Sequence, residues 1–172
     1  MTELPPPMAD PQSRLAMVRD GFAWLRPRVT AGDPWPLADD FGTGPEASWG
    51  PREVLAHTAE MLPFWLGEYE RVVEAGREAG DGQPFGRTSE DPLRIGILDR
   101  DRTLPLRELF ERIDAGIDRW EQRLTDAPDG EDQAMGLHPR LGEMTAAQLR
   151  DRFVVTHLEE HAAQLEATLA GR

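Results

Sequence analysis

Steps of three and four alternate along much of this chain. Leu15, Val18, Phe22, Leu25 and Val29 follow one another in this way, and so do Leu106, Phe110, Ile113, Ile117, Trp120 and Leu124. The rhythm keeps apolar side chains on one face of an α-helix, whereas a half-buried strand would alternate at period two. Two further segments share it. Val54, His57, Met61 and Trp65 line one stripe, and Leu149, Phe153, His157 and His161 line another, flanked by Val154, Leu158 and Leu165. A helix with one apolar stripe buries it against another such helix. No stretch alternates convincingly at period two, so the chain is expected to be all-α, a four-helix bundle.

Capping signals set the boundaries. Asp10 caps the first helix and Pro11 suits its first turn, so that helix runs from about Pro11 to Arg26, or on to Ala31 if Pro27 kinks it without ending it. Gly50 and Pro51 open the second, with Trp49 and Val54 as a hydrophobic staple, and it is expected to reach about Ala75 with a kink at Pro63. The third spans about Leu104 to Asp126. The fourth starts at Thr145, where Thr145 and Gln148 fit a capping box and Met144 with Leu149 a staple, and it continues to about Ala170. Between them lie Gly- and Pro-containing loops. The longest, Gly76 to Arg102, has the length of a lid, a crossover or a mobile segment, and its piece Leu93 to Leu98 can pack across a bundle end. No internal repeat or second domain is visible, so residues 1–172 read as a single domain with residues 1–10 flexible.

Charge and composition exclude several functions. The net charge is −13, which repels phosphate backbones and anionic lipid, so neither nucleic acid nor a membrane is expected as a partner. No apolar run approaches the roughly 20 residues of a membrane span. Met1 to Asp10 lacks the basic and apolar regions of a secretory signal, so a cytoplasmic location is expected. There is no cysteine, which removes disulfides, thiolate ligands and cysteine nucleophiles together. All 19 basic residues are arginine, which excludes a Schiff-base lysine. A metal would have to be held by His, Asp, Glu or water.

Three of the chain's 4 histidines fall on inward stripes. His157 and His161, four residues apart, lie about 40° apart around a helix and roughly 6 Å apart along it. Their imidazoles can converge on one ion at about 2.0–2.1 Å. His57 occupies a matching position on the second helix. Three protein ligands would leave positions open for water or substrate. The competing reading of each is a hydrogen-bonded core histidine, and for His138, before Pro139, an exposed loop residue. The run His157-Leu158-Glu159-Glu160-His161 also fits the H-x-x-E-H pattern of inverted zinc peptidases, with the glutamate as general base. In those enzymes the third ligand lies well downstream, and only eleven residues follow His161 here. Glu159 and Glu160 read as solvated residues or as partners that orient a ligand histidine.

The stretch Trp49-Gly50-Pro51-Arg52-Glu53-Val54-Leu55-Ala56-His57 resembles the W-[ST]-P-x-E-x-x-x-H opening of the second helix in DinB/YfiT-like proteins. Leu141-Gly142-Glu143-Met144-Thr145, followed by His157, His161 and Gln164, resembles their final helix. The resemblance covers essentially the whole chain, with Gly50 standing where Ser or Thr is common. It implies a four-helix bundle, a divalent metal such as Zn or Ni on His57, His157 and His161, and a homodimer. It also implies a metal-dependent enzyme that activates a low-molecular-weight thiol, a mycothiol- or bacillithiol-type S-transferase or isomerase acting on a small molecule. From the charge of the long loop alone, Arg87 or Arg94 could hold carboxylates of the cosubstrate, the competing reading being solvated surface residues. Two alternatives stay open: a hydrolase using bound water, with Glu160 or Glu60 as base, and a non-catalytic metal- or ligand-binding bundle.

Overall fold

A computed structural model describes residues 10–39, 41–42, 45–78 and 82–171. Residues 1–9, expected to be flexible, lie outside that set. Helix α1 (Pro11–Ala31) begins where Asp10 accepts a hydrogen bond from the Ser13 amide at 3.0 Å. It buries Leu15, Val18, Phe22, Leu25 and Val29, the residues of the first stripe. Pro27 lies inside α1 without ending it, because Leu25 and Val29 stay buried on either side of the missing donor. Helix α2 (Pro51–Glu78) likewise runs through Pro63 and extends one turn beyond the expected end. The loop after α2 contains a short helix, α3 (Pro92–Asp101), capped by Asp91 and burying Arg94 and Leu98. Helix α4 (Leu106–Thr125) buries Leu106, Phe110, Ile113, Ile117 and Trp120 as expected, with Leu124 partly buried against the core.

The last rod is not a plain α-helix. Thr145 and Gln148 form the expected capping box and start α5 (Ala146–Arg150). The next six residues, Asp151–Thr156, wind as a π-helix before α6 (His157–Ala170) resumes. A π-turn spends one residue more than an α-turn. The buried series therefore runs Leu149, Val154, Leu158, His161 and Leu165, with a step of five at its start. Phe153, expected on the inward stripe, is only half-buried and is turned toward the site described below.

Helix α1 packs on α4 and α6, and α2 packs on α3, α4, α5 and α6, around one continuous apolar core. The contact of α2 with α4 is close: a Cβ on Gly116 would stand 2.7 Å from a Leu62 side-chain carbon. Trp120, fully buried, donates its indole N–H to the Leu62 carbonyl at 3.1 Å.

The loops hold a feature that the hydrophobic pattern did not announce. Strand β1 (Gln83–Pro84) pairs in parallel with β2 (Met135–His138), and β2 pairs antiparallel with β3 (Gly142–Thr145), with His138 opposite Gly142. Strands of two to four residues are too short to show a period. Glycine is required in the middle of β2, since a Cβ on Gly136 would lie 2.5 Å from the Phe85 ring and 2.8 Å from Val72.

Candidate metal centre

The geometry of the site follows from where each helix starts. Gly50 accepts the first bond of α2, from the Val54 amide at 3.1 Å, so His57 comes two turns into the helix and is buried. His157 is the first residue of α6, immediately after the π-helix, and His161 follows one turn later. Nε2 of His157 lies 2.9 Å from Nε2 of His57 and 3.1 Å from Nε2 of His161. The structure thus brings all three inward histidines together.

A fourth residue completes the group. Glu46 sits on a single 3₁₀ turn (Glu46–Ser48) ahead of α2. Its Oε2 lies 3.4 Å from Nε2 of His157 and 3.8 Å from Nε2 of His161, and its Oε1 is 3.8 Å from Nε2 of His57. One ligand atom from each of the four lies within 4.8 Å of the others. Glu46 carries no periodic signal: it is a lone glutamate in a Gly/Pro-rich loop, and only tertiary folding brings it over the histidines. Arg94, buried on α3, holds Oε1 of Glu46 at 2.7 Å and so turns Oε2 toward the imidazoles.

These donors suit a cation. Two nitrogens bound at about 2.0–2.1 Å to one ion stand roughly 2.9–3.4 Å apart for angles between square and tetrahedral, and both measured separations fall in that range. The rings are held neutral. Burial pushes His57 well below its ordinary value, and the neighbouring His161, His157, Arg94 and Arg87 push it further. Burial also lowers His161, with His157 adding to it, and lowers His157 against the opposing pull of Glu160. A neutral imidazole offers one lone pair. Nδ1 of His157 lies 3.3 Å from Glu160 Oε2, and Nδ1 of His161 lies 3.1 Å from Gln164 Oε1. With oxygens at both Nδ1 atoms, the two Nε2 atoms face each other bare.

Beside the cluster opens a cavity of about 190 Å³, lined by Glu46, His57, Trp65, Arg87, Arg94 and Phe153 among others. Trp65 and Phe153 stack in parallel at 4.3 Å, and His138 also stacks on Phe153, at 5.0 Å. His138 is therefore not an exposed loop residue. It is buried in β2, with Nδ1 accepting from the Arg140 and Leu141 amides at 3.2 Å each.

The remaining candidates lie outside the cluster. Glu60 is bound through both carboxylate oxygens to Arg87, at 2.5 and 2.6 Å. Glu160 stands behind His157, and Glu159 is gripped by Arg14 from α1 at 2.6 and 2.8 Å. Arg87 and Arg94 both line the cavity, each already paired with a carboxylate of this chain.

Among the described residues no helix is long and apolar enough to cross a membrane. None of the curated proteins compared with the chain matches it. The DinB superfamily profile matches residues 10–165, a span that contains Glu46, His57, His157 and His161 and all but the last turn of α6. With nine-tenths of its length matched and a histidine cluster at the junction of α2 and α6, the chain belongs to the DinB superfamily.

Proposed function

We propose that this protein binds one divalent cation, zinc or nickel, through His57, His157 and His161, and uses it as a metal-dependent enzyme acting on a small molecule with a low-molecular-weight thiol as cosubstrate. The observation that carries this reading is the meeting of three neutral imidazole Nε2 atoms, 2.9 and 3.1 Å apart along the series, at the edge of an open cavity. When bound, such an ion lowers the pKa of a thiol or water beside it and holds the resulting anion in place. The chain's own residues shape what reaches it. Trp65 and Phe153 give the cavity an apolar wall that excludes water from one side. Arg94 orients Glu46, and Arg87, stacked 3.7 Å over the Phe64 ring and paired with Glu60, lines the same cavity. Glu60 and Glu160 are engaged with Arg87 and His157, so neither takes the role of a base toward the cavity in this reading. The same reading takes residues 1–172 as one domain that works as a homodimer. The continuous core supports the first point, and the exposed Met17 and Trp24 on α1 offer a surface for the second.

The test begins with metal. Apo protein titrated with zinc or nickel is expected to take up one ion per chain, and His57→Ala, His157→Ala and His161→Ala to lose it. Full metal content in His57→Ala would refute the ligand set. Loaded protein is then incubated with mycothiol, bacillithiol or glutathione and a generic electrophile. Absence of metal-dependent thiol consumption with every thiol would refute the reaction while leaving the site intact.

A further inference from the structure

Gln164 lies nearly one turn beyond His161 on α6, and its amide makes three contacts. Oε1 stands 3.1 Å from Nδ1 of His161, and Nε2 stands 2.8 Å from the Glu46 carbonyl and 3.4 Å from the Trp49 carbonyl. A carbonyl oxygen only accepts, so the NH₂ end of the amide has to face Glu46 and Trp49. The flipped amide would set its oxygen against both carbonyls. Its oxygen therefore faces His161, Nδ1 of that ring carries the proton, and Nε2 is left with its lone pair toward the cluster. The same amide grips both ends of the turn that carries Glu46. The ligand ring and the carboxylate above it are thus tied to one side chain, although they come from opposite ends of the sequence.

We propose that Gln164 is a positioning residue of the metal site: it fixes the Nδ1–H tautomer of His161 and, through the Glu46 and Trp49 carbonyls, holds the Glu46 carboxylate over the three imidazoles. This rests on the reading that the cluster binds a cation, yet part of its test does not need one. An orienting partner of a ligand histidine is typically worth a factor of about 10–100 in metal affinity. Gln164→Leu removes both the acceptor and the donor. Gln164→Glu keeps an acceptor for His161 and removes the donor to the two carbonyls.

Two measurements decide it. Long-range ¹H–¹⁵N spectra of the metal-free protein at pH 8 report which nitrogen of His161 carries the proton. Competition with a chromogenic chelator reports zinc affinity. In the native protein His161 is expected as the Nδ1–H tautomer. Gln164→Leu is expected to populate the Nε2–H form and to weaken zinc about 10–100-fold. Gln164→Glu is expected to keep the native tautomer and recover part of that loss. An Nε2–H tautomer in the native protein would overturn the proposal without any variant having to fold. Native tautomer and native zinc affinity in Gln164→Leu would overturn it too. Native protein with the expected tautomer but no zinc uptake refutes the metal reading and the role given to Gln164 with it, so the two failures are told apart.

Discussion

Gly50→Ser should stabilise this protein, and the reason lies in an atom left without a partner. Gly50 is the N-cap of α2, since its carbonyl accepts the first helical bond from the Val54 amide. As glycine it offers no side chain to the free amides of the first turn. Three residues on, Glu53 is fully buried: its Oε1 accepts from the Ala38 amide at 2.9 Å and from Arg102 at 3.2 Å, while its Oε2 has no hydrogen-bond partner. A Cβ at position 50 would lie 3.4 Å from that Oε2 and 3.5 Å from the Pro36 carbonyl, so a side chain fits and its hydroxyl reaches the orphaned oxygen. Serine in place of glycine at an N-cap gains a few tenths of a kcal/mol. A hydrogen bond to a charged group adds about 1.5–3 kcal/mol when geometry is good. Allowing for the closeness of the fit, the gain is about 1–2 kcal/mol, or about 2–8 °C in Tm for a chain of this size. Thermal and urea unfolding followed by circular dichroism measure it. Gly50→Ala fills the same space without a hydroxyl and should gain nothing. In a Glu53→Gln background the benefit of the serine should shrink. A Gly50→Ser protein no more stable than Gly50→Ala would refute the reasoning.

Other consequences are as open to measurement. Gly116→Ala should cost about 1–3 kcal/mol, because its Cβ would come within 2.7–2.8 Å of Leu62 side-chain carbons where α2 meets α4; unchanged urea unfolding would count against that contact. Glu46→Gln should weaken zinc binding and alter the visible spectrum of the cobalt-substituted protein, and an unchanged spectrum would place Glu46 outside the coordination sphere. Burial lowers His138 below its ordinary value. The unfolded state then binds the extra proton first, so the contribution of this group to stability falls as pH drops below about 6.5, and the loss ends once the folded protein also protonates. Protonation would also cost Nδ1 the two amides it accepts from. His138→Asn should flatten the dependence of the urea midpoint between pH 7.5 and 5.5, and an identical slope would show that His138 does not contribute.

What could be read from the sequence was what neighbours along the chain decide. The stripes of α1 and α4 are set by three- and four-residue spacing, and the start of α5 by Thr145 and Gln148, all of it local chemistry. His57, His157 and His161 were visible as inward positions on two stripes. What escaped depends on distant partners. The strands β1, β2 and β3 are too short to carry a period and exist because the two long loops lie side by side. Helix α3 fell inside a segment whose Gly and Pro content reads as loop, though Asp91 and Pro92 are a sound start signal in hindsight. Glu46 reaches the cluster only because Arg94 and Gln164 hold it there. His138 gave no sign in the sequence that its Nδ1 would accept two amides deep in the protein.

The π-helical stretch at Asp151–Thr156 makes the site depend on winding as well as on identity. Wound as an unbroken α-helix from Ala146 to Ala170, the same residues would keep the capping box and the histidines. Yet His157 and His161 would then be turned by about 100° relative to Thr145 and Leu149, away from His57. A relative with the same side chains at the same spacing in an unbroken α-helix would keep the appearance of the site and lose its geometry, whereas an α-helix one residue shorter in that stretch would keep both. A shared site is therefore tested by the spacing between the capping threonine and the first histidine together with the winding of the helix between them.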